Sequence, residues 1–492
     1  MLFNSFEYIL FFPVVVVIFF NLPYPYRRFF LLAASYYFYM CWRVEYAAVL
    51  LTITTVDYWA GLRMGACATK AQRRKYAMIS IVSNLGLLCT FKYLSFFNET
   101  TRHVFTVFGM PYSVPYLDIL LPMGISFHTF QTMAYTIDVY RGQQKPEKSF
   151  TTFALYVVFF PQLVAGPIER AGHLIPQFYK KHRFIPERVS FGLKLMAWGF
   201  FKKIVIADRL ALLVNRVYSN PHEFNGIPLI LATVFFAFQI YCDFSGYTDI
   251  AIGSARVLGI KLRPNFNAPY LAQTIQDFWR RWHMSLTSWF RDYVYFSLGG
   301  NRVSVWRWYM NVYVVFLLCG LWHGANWTFV VWGALHGSYY VFSLVTKDLR
   351  IKWVAWTGLD RTPVVYPLVK MAITFTLVCF AWIFFRANSL SDAWYIVTHF
   401  FDLRGTGHLI HAFGMQNATE RMLGMNKASI LLSLALIVFM GFSDFLQASG
   451  RSLLKVLSAA PAMLRFLAYY ALLWGTIMMG VFGKSKFIYF QF

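Results

Sequence analysis

Charge is what this chain has least of. Only 13% of its 492 residues are Asp, Glu, Lys or Arg, where a soluble chain of this length carries about one-quarter. Acidic residues are the scarcer sign, 21 against 45 Lys and Arg, for a formal net charge of +24. That balance excludes an ordinary soluble enzyme. Cysteine is also sparse and unpatterned: Cys41, Cys67, Cys89, Cys242, Cys319 and Cys379 are scattered, mostly inside apolar runs, with no Cys-x-x-Cys. Neither a disulfide framework nor a zinc site is expected from them. The sequence has no Walker-type phosphate loop, no Gly-x-Ser-x-Gly elbow and no His-x-x-x-x-Asp, which removes the commonest soluble phosphotransfer, hydrolase and acyltransferase signatures. No polar linker separates one part from another, so residues 1–492 are read as one membrane-embedded domain.

What fills the chain instead is apolar sequence, 58% of all residues, with 20% aromatic. Runs of the ~20 residues needed to cross a bilayer recur from end to end. The expected fold is therefore all-α, a polytopic integral membrane protein with roughly 10–13 membrane segments. Met1–Leu22 lacks a basic n-region and a small-residue cleavage site, so it reads as a first membrane helix and not as a removable signal. Basic residues set orientation. Arg27-Arg28, Arg63–Lys75, Arg170–Arg188 and Arg256–Arg307 are assigned to the cytoplasm, with the N-terminus outside. The apolar stretch 117–140 carries Asp118, His128, Gln131 and Asp138. Phe150–Gly166, broken by Pro161 and flanked by two basic loops, is expected to be re-entrant. Phe191–Val217, with Lys194, Lys202, Lys203, Asp208 and Arg209, is expected to lie partly at the interface. The positive excess favours anionic lipid head groups and acidic cytosolic ligands as partners, and nothing points to nucleic acid.

Within this background a few polar constellations stand out. Cys319-Gly320-Leu321-Trp322-His323-Gly324-Ala325-Asn326-Trp327 sets a histidine in the middle of an apolar run from about Tyr309 to Leu344. Polarity at that depth is costly, so His323 is expected to face protein or a water-filled cavity. Gly320 and Gly324 invite close approach of another helix. Gly333-Ala334-Leu335-His336-Gly337 repeats the pattern. A hydrogen-bonded bundle histidine and a catalytic one are both open readings on spacing alone. Asp277-Phe278-Trp279-Arg280-Arg281-Trp282-His283 offers an Asp277–Arg281 pair one helical turn apart. It also offers a guanidinium fork for phosphate through Arg280, Arg281 and Arg291. The competing reading is an interfacial Trp/Arg belt. Asp243 and Asp249 lie in apolar sequence but are six apart, off a common helical face, and Asp243 is expected to bond locally or pair with an arginine. His408-x-x-His411 has no further ligand nearby in sequence, so no metal site is assigned.

Taken together, these stretches resemble the membrane-bound O-acyltransferase family, in its bacterial branch of alginate O-acetylation proteins and teichoic acid D-alanyl transferases. The likeness rests on Met1-Leu2-Phe3-Asn4-Ser5, Phe160-Pro161-Gln162-Leu163-Val164-Ala165-Gly166-Pro167-Ile168, Asp243-Phe244-Ser245-Gly246-Tyr247-Thr248-Asp249, Phe278-Trp279-Arg280-Arg281-Trp282-His283 and Gly320-Leu321-Trp322-His323-Gly324, in that order. The resemblance implies a ring of tilted helices around a central tunnel, with His323 at its centre and His283 as the upstream polar partner. It implies acyl transfer, with acetyl the expected group, from a cytoplasmic thioester such as acetyl-CoA or an acyl carrier, with no bound cofactor. Donor or substrate contacts are expected from Arg280, Arg281, Trp279, Trp282, Asp243, Asn326 and His336. The acceptor is expected to be an exported polysaccharide, reached through an exported acetyltransferase or esterase-like partner, at the bacterial inner membrane. The rival class is a transporter or flippase of a lipid-linked saccharide, which more often shows internal repeats.

Overall fold

The computed structural model describes residues 1–115, 122–402, 418–483 and 487–488. Among the described residues every regular element is a helix. Seven helices are long and apolar enough to cross a membrane: Lys70–Val107, Ile227–Val257, Val305–His323, Trp327–Val345, Val365–Arg386, Lys427–Ala448 and Ala462–Met479, with Phe6–Asn21 a shorter apolar one. The chain is a multi-pass membrane protein. Exposure is inverted relative to a soluble fold, since Ile9, Val14, Val17, Val82, Val438 and Met478 face outward while polar side chains are buried. That is the arrangement lipid demands.

Contacts divide the chain into two compact units, residues 1–196 with 248–263, and residues 197–247 with 264–492. In the first, Ser5 caps the Phe6–Asn21 helix. Phe3 packs on Tyr8 and Phe38, and the Tyr8 hydroxyl meets Ser254 Oγ at 2.6 Å. Helices Glu45–Ala66, Lys70–Leu88 and Ile125–Arg141 pack together around Asp57. Its carboxylate accepts from Ser80 Oγ at 2.5 Å and from Asn84 Nδ2 at 2.9 Å. Thr136 Oγ1 lies 2.8 Å from Ser80 Oγ, and Thr132 donates to Asn84 Oδ1 at 2.9 Å. The broken segment is a helix over Phe150–Val158, followed by irregular, buried backbone through Gly166. Its polar groups are met internally, Phe160 N–H donating to Ser35 Oγ and Gln162 Nε2 to Tyr156 O, as buried irregular backbone requires. Asp118 lies outside the described residues.

In the second unit, two expectations need correction. The interfacial reading of Phe191–Val217 fails over Phe201–Ala207, a π-helical stretch buried throughout. Lys202 and Lys203 are buried there because the charge is matched: Lys203 Nζ is 2.8 Å from Asp208 Oδ1 and 2.5 Å from Asp243 Oδ1. Asp243 thus pairs with a lysine forty positions upstream, where a local bond or an arginine partner was expected. The apolar run from Tyr309 to Leu344 is built as two helices. The first ends at His323, with Gly324 as C-cap, and the second starts at Trp327 behind Asn326, whose Oδ1 accepts from Thr328 N–H at 3.0 Å. His323 therefore sits at a helix terminus and not mid-helix.

Candidate active site

Helices Val305–His323 and Trp327–Val345 pack closely enough that their glycines are obligatory. A Cβ on Gly320 would lie 2.3 Å from Phe329 O, and one on Gly333 would lie 2.4 Å from Phe316 O, both well inside van der Waals contact. This crossing brings the two helices' histidines into one aromatic cluster. His323 is 5% exposed and His336 is fully buried. Trp332 lies between them, 5.1 Å from the His323 ring and 4.9 Å from that of His336. Phe385 closes on His323 at 5.1 Å.

His283 is held by a different device. It joins the short helices Ile275–Arg281 and Met284–Phe290 in a left-handed backbone conformation, φ 42° and ψ 52°. A non-glycine residue there is strained by of order 1–3 kcal/mol and persists only when its surroundings enforce it. Buried Asn265 does so, its carbonyl accepting from Met284 N–H at 2.9 Å and its Oδ1 from Ser285 N–H at 3.3 Å. Burial pushes the His283 imidazole far below its ordinary range, to about 3, so it is neutral at physiological pH. Trp322 is the ring shared by the two motif histidines, 5.9 Å from His283 and 4.9 Å from His323.

Trp279 and Trp282 are buried, which removes the interfacial-belt reading. Trp279 Nε1 donates to His336 Nδ1 at 3.3 Å, while Trp282 packs 5.2 Å from Trp382. Arg281 is tied to Asp277 at 2.9 Å, the pair expected one turn apart, and Arg291 pairs with Asp292 at 2.8 Å. Arg280 and Arg291, with Gln276, Trp279, Tyr295 and Tyr340, wall a cavity of about 320 Å³. Val312, Val315, Phe316 and Cys319 also line it. Val312, Phe316, Cys319 and His323 are spaced four, three and four apart, one stripe of a single helix. The lining reaches Cys319, and His323 continues the same stripe one turn beyond it.

The expected site residues therefore separate. His323, His283, His336, Trp279 and Trp282 converge through shared aromatic rings, and Arg280 faces the cavity. Arg281 is engaged by Asp277, Asp243 by Lys203, and Asn326 is a helix cap whose Nδ2 also reaches Asn388 O at 3.3 Å. His408 and His411 lie outside the described residues. Among the described residues no group of three His, Cys, Asp or Glu is placed to hold a metal. Sequence reading passed over Asn265, Trp332, Trp382 and Phe385. Their only local signal is an asparagine after a proline and three aromatics in apolar helices, none distinguishable from packing residues without the fold.

The membrane-bound O-acyltransferase family model matches residues 147–389, a span that includes both motif histidines. The probable alginate O-acetylase AlgI of Pseudomonas aeruginosa is 37% identical over 89% of this chain and 80% of its own length. The chain belongs to the membrane-bound O-acyltransferase family. It is an enzyme, a membrane O-acyltransferase, and nothing supports the transporter alternative. The peptidoglycan O-acetyltransferase of Helicobacter pylori is 35% identical over 76% of this chain and 74% of its own. The teichoic acid D-alanyltransferase of Bacillus subtilis is 27% identical over 54% of this chain and 69% of its own.

Proposed function

We propose that this chain, acting over residues 1–492 as one transferase, passes an acetyl group from a cytoplasmic thioester, acetyl-CoA or an acyl carrier, to a hydroxyl serving an exported polysaccharide. The names of the alginate and peptidoglycan relatives support acetyl as the group and a polysaccharide as the final acceptor. An exported acetyltransferase or esterase-like protein completes the transfer, and the setting is the bacterial inner membrane with the N-terminus outside.

His323 is the general base. It takes the acceptor hydroxyl proton as that oxygen attacks the thioester carbonyl. Collapse of the tetrahedral intermediate breaks the carbon–sulfur bond, and the proton passes from His323 to the leaving thiolate. Such a base is worth ~10²–10⁴-fold. His283, neutral through burial, is a hydrogen-bond donor that positions the thioester or meets the developing oxyanion, a contribution often larger than the base itself. Arg280, which faces the cavity, draws the anionic part of the donor, while Trp279, Trp282 and His336 shape the aromatic cluster behind it.

The observation that carries this reading is the cavity lined by Arg280 and by Val312, Phe316 and Cys319, a helix stripe that His323 continues one turn beyond the lining. The experiment is His323→Ala, with acetylated product and detergent-extracted monodispersity measured together. An expected loss of ~10²-fold or more in a folded protein supports the role; retention of more than about a tenth of activity removes it.

A further inference from the structure

We propose that Phe244 is a positioning residue for His283, held in place from behind by Phe487 and by an anchor between Asp243 and Ile488. The inference rests on the reading of His283 as a group that acts on the thioester. The Phe244 ring stands edge-on to the His283 imidazole, centroids 4.7 Å apart at 80°. Behind Phe244 lies Phe487, 5.8 Å away, which also packs on Tyr247 at 4.8 Å. The next residue is fixed by a charge-assisted bond, Ile488 N–H donating to Asp243 Oδ2 at 2.7 Å. Bonds of that kind are roughly twice as strong as neutral ones. Asp243 is itself locked, its other oxygen 2.5 Å from Lys203.

A second tie lies upstream. The Ile204 carbonyl belongs to the π-helical stretch Phe201–Ala207 and accepts from Val481 N–H at 3.1 Å. Residues near 481 and at 487–488 are thereby fastened to the same buried cluster that carries Phe244. A strained left-handed residue such as His283 holds one orientation only while its neighbours leave no room for another. Asn265 fixes the His283 backbone, and Phe244 is the ring against its side chain.

The test uses the full-length protein in vesicles, assayed with acetyl-CoA, comparing Phe487→Ala, Phe487→Leu and His283→Ala. Misplacement of a reacting group by about 1 Å costs on the order of 10²-fold, so Phe487→Ala should lower kcat by about tenfold or more. The KM for acetyl-CoA should stay within about twofold, and Phe487→Leu should recover most of the loss. A second readout is independent of turnover: modification of His283 by diethylpyrocarbonate, followed by peptide mass spectrometry, should quicken in Phe487→Ala while His336 stays protected. Equal quickening at both histidines would mean general loosening and would overturn the proposal. So would a Phe487→Ala enzyme with wild-type kcat beside an inactive His283→Ala. If His283→Ala is itself fully active, the reading of His283 fails first, whatever Phe487 does.

Discussion

Asp57 in the first unit and Asp243 in the second are both buried carboxylates, but their partners differ in kind. Asp57 is met by a serine hydroxyl and an asparagine amide, with two threonines extending the network. Asp243 is met by Lys203, which also holds Asp208, and the next residue in sequence, Phe244, stands against His283. The first arrangement is neutral apart from one carboxylate, and its partners come from two helices that must stay packed on the helix carrying Asp57. The second concentrates formal charge next in sequence to the ring that packs on His283. Buried polarity is therefore doing two jobs, helix registration in one unit and support of a reaction centre in the other. Substitutions can separate them.

The largest effect is expected at Lys203. Lys203→Met removes the cation that buried Asp208 and Asp243 share, and breaking a buried pair from one side costs roughly 3–5 kcal/mol. Thermal unfolding in detergent should show a collapse in stability. Adding Asp208→Asn and Asp243→Asn should restore much of it, because the uncompensated charges are then gone. A triple variant as unstable as the single one would show that the cluster is held by something other than charge balance.

Asp57→Ala should cost less, about 1–3 kcal/mol, the penalty for leaving the Ser80 hydroxyl and an Asn84 N–H without an acceptor. Its effect should be on stability alone. Acetylation per folded molecule should stay within about twofold of wild type. A selective loss of kcat would erase the contrast between the two carboxylates.

Between these lies the comparison of the two helix-borne histidines. His336 Nδ1 accepts from Trp279 and the ring sits behind Trp332, so His336→Ala perturbs a wall and not the base. We expect about a tenfold fall in activity, against the ~10²-fold or greater fall for His323→Ala. Equal losses would mean that the assignment of the base to His323 is wrong.

Much of this was legible in sequence, and the failures have identifiable causes. Helices follow from apolar runs of bilayer length, and Asp277–Arg281 follows from helical spacing. The family likeness singled out His283 and His323. The break at Gly324-Ala325-Asn326 was written in a glycine C-cap and an asparagine N-cap, yet was masked by the continuous apolarity around it. Lys203 misled because a lysine within apolar sequence reads as interfacial until its partner, forty positions downstream, is known. Asn265, Trp382 and Phe385 were invisible for the same reason: their significance lies in distant contacts, and periodicity reports only local ones.

The smallest predicted effect distinguishes two adjacent arginines. Arg280 walls the cavity, whereas Arg281 is bound to Asp277 at 2.9 Å, both side chains about a quarter exposed (26% and 29%). An anionic donor held by Arg280 gains binding that is mostly the same in ground and transition states, so Arg280→Gln should raise the KM for acetyl-CoA by about tenfold with little change in kcat. Raising the salt should narrow the gap, because the Debye length is already about 8 Å at physiological ionic strength. Arg281→Gln removes an i,i+4 pair worth about 0.3–0.5 kcal/mol, so its KM should shift by no more than about twofold. The check is a donor titration of both variants at two salt concentrations. If Arg281→Gln raises KM as much as Arg280→Gln does, the donor's charge is read by the helix Ile275–Arg281 as a whole, and the cavity wall is not where discrimination between the two arginines arises.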